Sequence, residues 1–209
     1  GGGSTGPDTI PHAAGTHAYL GAMAGRVSHN GVVTLVIADT GAVSPVNGSY
    51  KPIGGAAVTM GGTLTRSSGA LSFGGGGYGA TGLLAAGTFT GHWTITGDSG
   101  SFAAVAGSGT PLAFCGTFSI TNVGKPNNSG VAVLLLNGAA GWLVAANRDT
   151  TSNQALGIIF PATRSGNTVT ITPDKGTVTG TISGTSISGT ITDSNSAGTF
   201  SANAGNCTA

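Results

Sequence analysis

Charged side chains are scarce in this chain, and glutamate is absent. Asp, Lys and Arg together supply 6% of the 209 residues, and the formal net charge at pH 7 is +1. The basic residues are scattered singly, as at Lys51, Arg66 and Arg148, so they form no stripe that could neutralise phosphates or anionic lipid. We therefore expect no nucleic-acid partner.

Long hydrophobic runs are also missing. No segment approaches the roughly 18 apolar residues that a membrane helix requires. Aromatic residues make up 6% of the chain and are too scattered for the girdles of an outer-membrane barrel. We expect no membrane span. Short apolar runs nevertheless occur throughout, which excludes a charged, disordered chain.

Cysteine is limited to Cys115 and Cys207. A structural metal site needs three or four ligands at short spacing, so one disulfide is the preferred interpretation, with two buried free thiols as the alternative. An intramolecular bridge would close a loop of about ninety residues, worth on the order of 4 kcal/mol. Oxidised cysteines and weak charge together predict an extracellular or cell-surface location.

Glycine is abundant, with 40 residues, and two glycine-led segments recur. Gly31–Ile37 matches Gly130–Leu136, and Gly100–Gly107 matches Gly198–Gly205. The offset stays near one hundred residues, and each copy closes on a cysteine. A duplication of this kind predicts two related units that cover each other's apolar faces.

The predicted units are residues 15–109 and 110–209, preceded by a glycine-rich extension or tether at 1–14. The extension resembles the spacer that follows the lipid-modified cysteine of many bacterial lipoproteins, which implies an N-terminal lipid anchor. A cloning remnant explains the three leading glycines as well. The short linker between the units favours tightly packed halves.

Apolar and polar residues alternate with a period of two through nearly every segment, so we predict an all-β fold of seven or eight short antiparallel strands per unit, as a sandwich or a barrel. Asn-Gly pairs at 30–31, 47–48 and 137–138 predict type I′ hairpins, and Pro173–Gly176 predicts another turn. In recurrent segments such as Gly176–Gly180, one apolar residue faces inward between hydroxyl neighbours, and the glycines indicate bends or bulges.

A possible nucleophile motif, Gly97–Gly100, resembles the Gly-Asp-Ser-Gly of chymotrypsin-like proteases and would make Ser99 a nucleophile. The candidate partners His12, His17, His29 and Asp39 lack the sequence context of that family. A triad is defined by geometry rather than by a four-residue string, and Asp193–Gly198 aligns with the same segment as a turn. We therefore predict no catalytic, metal-binding or cofactor-binding residues.

Two tryptophans and a threonine ladder are the remaining candidates for binding. Trp93 and Trp142 could stack on a flat ligand, although core packing is the preferred interpretation. Threonines at alternate positions of 168–172 and 177–181 place hydroxyls on one face of neighbouring strands. This pattern resembles the face of ice-binding proteins, and a solvent-facing sheet of β-branched residues explains it equally.

These observations predict an exported, non-enzymatic structural or adhesive surface protein, including a subunit of an extracellular filament or coat. Its expected partners are copies of itself. The alternative is a ligand-binding β-barrel of a surface lipoprotein, with its cavity near Trp93 or Trp142. A serine hydrolase that uses Ser99 is the third hypothesis.

Overall fold

The chain forms antiparallel strands throughout the part that the structure describes. The computed structural model describes residues 15–26, 29–38, 40–52, 55–107, 111–147 and 157–204. The first eight strands are β1 (Thr16–Gly25), β2 (Gly31–Ala38), β3 (Val43–Pro52), β4 (Val58–Thr65), β5 (Ala70–Gly75), β6 (Tyr78–Ala85), β7 (Thr88–Ile95) and β8 (Asp98–Ala106). The second eight are β9 (Leu112–Asn122), β10 (Asn128–Asn137), β11 (Ala140–Asn147), β12 (Gly157–Ser165), β13 (Thr168–Ile171), β14 (Thr177–Ser183), β15 (Ser186–Asp193) and β16 (Ser196–Asn203).

Each set of eight strands closes into a barrel whose neighbours follow one another in chain order. The first barrel closes because β1 pairs with both β2 and β8. The second closes because β9 pairs with both β10 and β16. The predicted all-β fold of two related halves is confirmed, and the choice that the sequence left open is resolved as two up-and-down barrels.

The hydrogen-bond ladders of the two barrels share one register. Val32 of β2 lies opposite Ala22 of β1, and its counterpart in the repeat, Val131 of β10, lies opposite Thr117 of β9. Ala22 and Thr117 therefore occupy equivalent positions. The ladders of β8 and β16 give the same correspondence. The duplication thus extends from the sequence to the cross-strand pairing.

Glycine has a packing role inside the first barrel. Gly82 and Gly91 lie opposite each other on β6 and β7, and Gly91 lies opposite Phe102 of β8. A Cβ at Gly82 would lie 2.7 Å from the Phe102 ring, and one at Gly91 would lie 2.6 Å from it. The two glycines leave room for the ring, which fills the space they vacate.

The second barrel repeats this arrangement. Gly180 of β14 lies opposite Gly189 of β15, which lies opposite Phe200 of β16. A Cβ at either glycine would lie within 2.7 Å of the Phe200 ring. The sequence predicted bends or bulges at such glycines. The structure shows instead that these pairs make room for an aromatic side chain within continuous ladders.

Both barrel interiors hold apolar side chains. The first barrel encloses aromatic and aliphatic residues that include Tyr50, Phe73, Phe89, Trp93 and Phe102. The second encloses a mainly aliphatic set with Phe114, Phe118 and Phe200. Strand alternation explains both interiors, because every second residue projects inward.

A third apolar cluster lies between the barrels. The outer faces of β1 and β8 contact β10, β11 and β12. The buried members of this cluster are Leu20, Ala22, Ala24, Ala103, Val105, Cys115, Val133, Leu135, Val144 and Ala146. The halves are therefore tightly packed, as predicted. The contact joins different faces of the two copies, so it is heterologous rather than twofold.

Some predicted turns are wrong in detail. Gly31 begins β2, and Asn47 and Gly48 lie inside β3, so neither pair is a hairpin turn. Asn137 ends β10 and pairs with Ala140, so a two-residue turn starts at the next position, where Gly138 has a φ of 68°. The predicted turn at 173–176 is confirmed between β13 and β14.

Candidate functional site

One end of the first barrel carries a histidine–aspartate pair. His29 lies in the connection from β1 to β2, and Asp98 begins β8. The His29 Nδ1 atom lies 2.8 Å from the Asp98 Oδ2 atom. The Asp98 side chain is 1% exposed and that of His29 is 33% exposed. The pair forms because closure of the barrel places β8 beside β1.

The backbone holds His29 in an uncommon conformation. Its φ of 55° lies in the left-handed region, which non-glycine residues adopt infrequently. The Tyr50 hydroxyl donates a hydrogen bond to the His29 carbonyl oxygen. The Asn30 side-chain oxygen accepts one from the Gly25 amide at 3.0 Å. These two bonds hold the connection against the end of the barrel.

Aromatic rings surround the pair. The His29 ring centroid lies 5.8 Å from that of Tyr78 and 6.1 Å from that of Trp93, with steep interplanar angles. Tyr50 and Tyr78 contact each other edge to face at 5.0 Å. These rings reduce the water around the buried carboxylate, and a lower local polarity strengthens its interaction with the imidazole.

The two tyrosines of this cluster are strongly biased toward the neutral phenol. Burial raises the pKa of Tyr50 well above its ordinary value, and the nearby Tyr78 and the Asp98 carboxylate raise it further. Burial also raises the pKa of Tyr78, and Asp98 adds to the shift. Both hydroxyls therefore remain hydrogen-bond donors across the neutral and mildly alkaline range.

The strand geometry does not place Ser99 with His29. Asp98 projects into the barrel toward His29, and adjacent strand residues project to opposite faces, so Ser99 faces outward. The Ser99 amide donates a hydrogen bond to Asp98 Oδ1 at 2.8 Å. The sequence favoured a role for Asp98 in forming a turn, and this describes only part of what Asp98 does. Its pairing with a histidine 69 residues away was missed.

The two other histidines that the structure describes lie away from this cluster. His17 lies on β1 opposite Ile37, and His92 lies on β7 opposite Ser101. His12 and Asp39 lie outside the described residues. Among the residues that the structure describes, no three His, Cys, Asp or Glu side chains are grouped as metal ligands would be.

The two tryptophans occupy different environments. Trp93 is 1% exposed inside the first barrel, and its indole N–H donates to the Ser101 carbonyl at 3.1 Å. Trp142 is partly buried against the cluster between the barrels. Both rings therefore lie against apolar packing, which agrees with the preferred interpretation from the sequence.

Cys115 is buried at the contact between the barrels and is not a free thiol. Its predicted partner, Cys207, lies outside the described residues, so the Cys115–Cys207 pairing stays a prediction. The extension at 1–14 also lies outside the described part. Within the described ranges, the structure contains no helix of the length and apolarity needed to cross a membrane.

The outer surface of the second barrel carries two rows of exposed hydroxyl side chains, which we term the hydroxyl face. Cross-strand pairing puts the members of each row side by side on successive strands. The first row is Thr163, Thr170, Thr179, Thr190, Thr199, Ser119 and Ser129. The second row is Ser165, Thr168, Thr181, Ser188, Ser201 and Thr117.

Four residues of the predicted threonine ladder belong to this face, and they are exposed as expected: Thr168, Thr170, Thr179 and Thr181. Each row crosses at least six strands of a closed eight-stranded barrel, so it bends around the molecule. A flat crystal plane could meet only the few strands on one side. The curvature therefore favours the solvent-facing interpretation over an ice-binding plane.

A shallow groove of about 520 Å³ runs between the two rows across β14, β15, β16 and β9. Its walls are the hydroxyl side chains of both rows. Its floor is formed by the intervening positions Phe118, Gly189 and Phe200. No Asp, Lys, Arg or His lines this groove, so its surface is polar but uncharged.

Neither a protein-family model nor a curated protein matches the chain. The molecule is therefore defined by its own architecture, a tandem pair of eight-stranded up-and-down barrels.

Proposed function

We propose that this chain is an exported, non-enzymatic surface protein of structural or adhesive type, acting through the outer faces of its barrels. The observation that carries the proposal is the hydroxyl face, which presents thirteen exposed Ser and Thr side chains in two in-register rows. A weakly charged surface of hydroxyls can approach another surface closely, because few ions must be desolvated.

The closed ladders support contact through side chains rather than strand addition. All sixteen described strands have hydrogen-bonded neighbours on both sides. A donor strand requires an open sheet edge, and these two closed barrels do not offer one. If copies of the chain assemble into a filament or coat, we expect their outer faces to make the contacts.

The packing inside the barrels supports a surface role over the ligand-binding alternative. The inward apolar side chains of each barrel pack into one cluster, and Trp93 is part of the first. No specific observation favours a stored ligand near Trp93 or Trp142. The outward direction of Ser99 likewise gives no support to the hydrolase hypothesis.

Fractionation of the native source, followed by native mass measurement, tests this proposal. We expect the protein in the extracellular or cell-surface fraction, with Cys115 oxidised and Ser99 unlabelled by a fluorophosphonate. A reduced protein confined to the cytosol would overturn the proposal, as would stoichiometric labelling that is lost in Ser99→Ala. The native mass also reports any lipid on the N-terminus and any homo-oligomer.

A further inference from the structure

The groove of the hydroxyl face occupies a position that is an interface in the other barrel. The first barrel contacts the second through the outer faces of β1 and β8. The equivalent strands of the second barrel are β9 and β16, which form one side of the groove. Cys115 of β9 is the counterpart of Leu20 and stays buried in the contact between the barrels. Farther along these strands, the duplication supplies an internal comparison between positions that are covered in the first barrel and equivalent positions that are open in the second.

The register shows how the open face has changed. Ala22 and Ala103 lie opposite each other in the covered face and are fully buried. Their counterparts, Thr117 and Ser201, lie opposite each other in the groove and are exposed. At the neighbouring position, Ala24 corresponds to Ser119. Small apolar side chains that fit another barrel are replaced by hydroxyls.

This replacement argues against a second copy of the chain as the occupant. Repeating the contact between the barrels would bury Thr117, Ser119 and Ser201 against aliphatic side chains, at a cost for each hydroxyl left without a partner. The groove is also small and lies on a convex barrel, whereas a stable protein interface buries on the order of 1,200 Å² or more in total. The hydroxyl side chains on this face resemble the polar outer surface of a terminal repeat in a repeat protein, which prevents a further repeat from stacking on it.

The chemistry of the groove selects a neutral, hydroxyl-rich ligand. Its lining has no cation for phosphate or carboxylate and no anion for an amine. Serine and threonine hydroxyls both donate and accept hydrogen bonds, as sugar hydroxyls do, and the threonine methyl groups can contact the C–H faces of a sugar ring. The two rows are about 7 Å apart along the strands, and the groove crosses four strands over about 14 Å. These dimensions suit a single extended chain.

We propose that this groove binds an uncharged polysaccharide chain. The inference rests on the proposed adhesive function and names the class of surface to which the protein adheres. Ser188 and Ser201 would contact one edge of the chain, and Thr190 and Thr199 the other. The single-site affinity is expected to be weak, because each neutral hydrogen bond adds little net free energy after desolvation. Adhesion would then depend on many copies displayed together.

Native affinity electrophoresis tests the proposal at weak affinities. The intact protein is run through gels that contain dextran, hydroxyethylcellulose or galactomannan, and through a gel without polysaccharide. We expect retardation by at least one of the three neutral polymers. The double variant Thr190→Val/Thr199→Val keeps the side-chain shape and should weaken the binding about tenfold, since it removes two hydrogen-bonding groups.

The matched control is Thr63→Val/Thr81→Val, on exposed outer positions of the first barrel, which should bind like the wild type. Equal retardation of all three proteins would overturn the proposal, as would no retardation in any neutral gel. Self-association that the groove variant abolishes, without polysaccharide binding, would assign the face to a second copy and also overturn it. Each of these failures leaves the surface location and oxidised Cys115 of the proposed function separately measurable.

Discussion

Replacement of Gly91 by alanine tests the packing that defines both barrels. A Cβ at Gly91 would lie 2.2 Å from the Thr81 carbonyl oxygen, 2.6 Å from the Gly82 Cα atom and 2.6 Å from the Phe102 ring. Two of these neighbours are backbone atoms of a paired strand, so β6 and β7 would have to separate locally. Overpacking of this kind costs about 1 to 3 kcal/mol, and more where backbone must move.

Gly79→Ala is the matched control, because Gly79 lies on β6, the strand that pairs with β7 in the same barrel. The nearest atom to a Cβ there is Thr94 Oγ1 at 4.0 Å, and the position is exposed. Alanine reduces the entropy of the unfolded chain and should stabilise the protein by about 0.5 kcal/mol. We therefore expect Gly91→Ala to be less stable than Gly79→Ala by at least about 2 kcal/mol.

Equilibrium unfolding in urea, followed by tryptophan fluorescence, measures this difference. Trp93 reports on the first barrel, and its ladder partner Ala80 neighbours the Gly79 site. A Gly91→Ala protein as stable as wild type would refute the packing argument. So would a Gly79→Ala protein with a comparable loss, since steric exclusion would then not distinguish the two glycines.

Three further outcomes follow from the same structure. His29→Gln and Asp98→Asn should each destabilise the protein, and their double-mutant cycle in urea should give a coupling of about 1 to 2 kcal/mol; additive effects would contradict a direct pair. Ala22→Thr should destabilise the protein by about 1 to 3 kcal/mol, because it overfills the contact between the barrels, whereas Thr117→Ala should be nearly neutral. Calorimetry compares the two variants, and equal effects on stability would contradict the heterologous contact. Unfolded tyrosines ionise near pH 10, whereas burial raises the pKa of these residues in the folded state, so their contribution to stability is present below about pH 10 and is lost as the pH rises above it. Urea midpoints and tyrosinate absorbance measured across this range check the last outcome, and tyrosinate absorbance appearing near pH 10 in the folded protein would contradict it. The residues concerned are Tyr19, Tyr50 and Tyr78.

Local periodicity was sufficient to predict the strands and the duplication. Alternation at Thr177–Ser183 places Val178 and Ile182 in the core and the hydroxyls outside, as the structure shows. The repeat at Gly31 and Gly130 marks equivalent strands. Such features depend on neighbouring residues and on backbone preferences, so a single sequence contains them.

Closure of the sheet was not predictable from the same patterns. Alternating strands fit a sandwich as well as a barrel, and only the pairing of β1 with β8 distinguishes them. This pairing also brings His29 to Asp98. Without closure, the two residues are simply turn residues far apart in sequence.

The two barrels have diverged in complementary ways. The positions equivalent to His29 and Asp98 are Asn128 and Ser196, and the position equivalent to Trp93 is Ile191. Ser196 Oγ instead donates to the Asn122 side-chain oxygen at 2.7 Å. The histidine–aspartate pair is therefore confined to the first copy.

The hydroxyl groove is correspondingly specific to the second copy, because Ala22 and Ala103 of the first copy stand where Thr117 and Ser201 line the groove. In the first barrel, polar groups hold the β1–β2 connection against the barrel end. In the second barrel, the hydroxyl groups of the groove are exposed. A duplicated core can support both arrangements, since the shared glycine–phenylalanine packing is independent of either. The outer face of the first barrel is thus suited to pack against the second barrel, and the second barrel is suited to present the hydroxyl face.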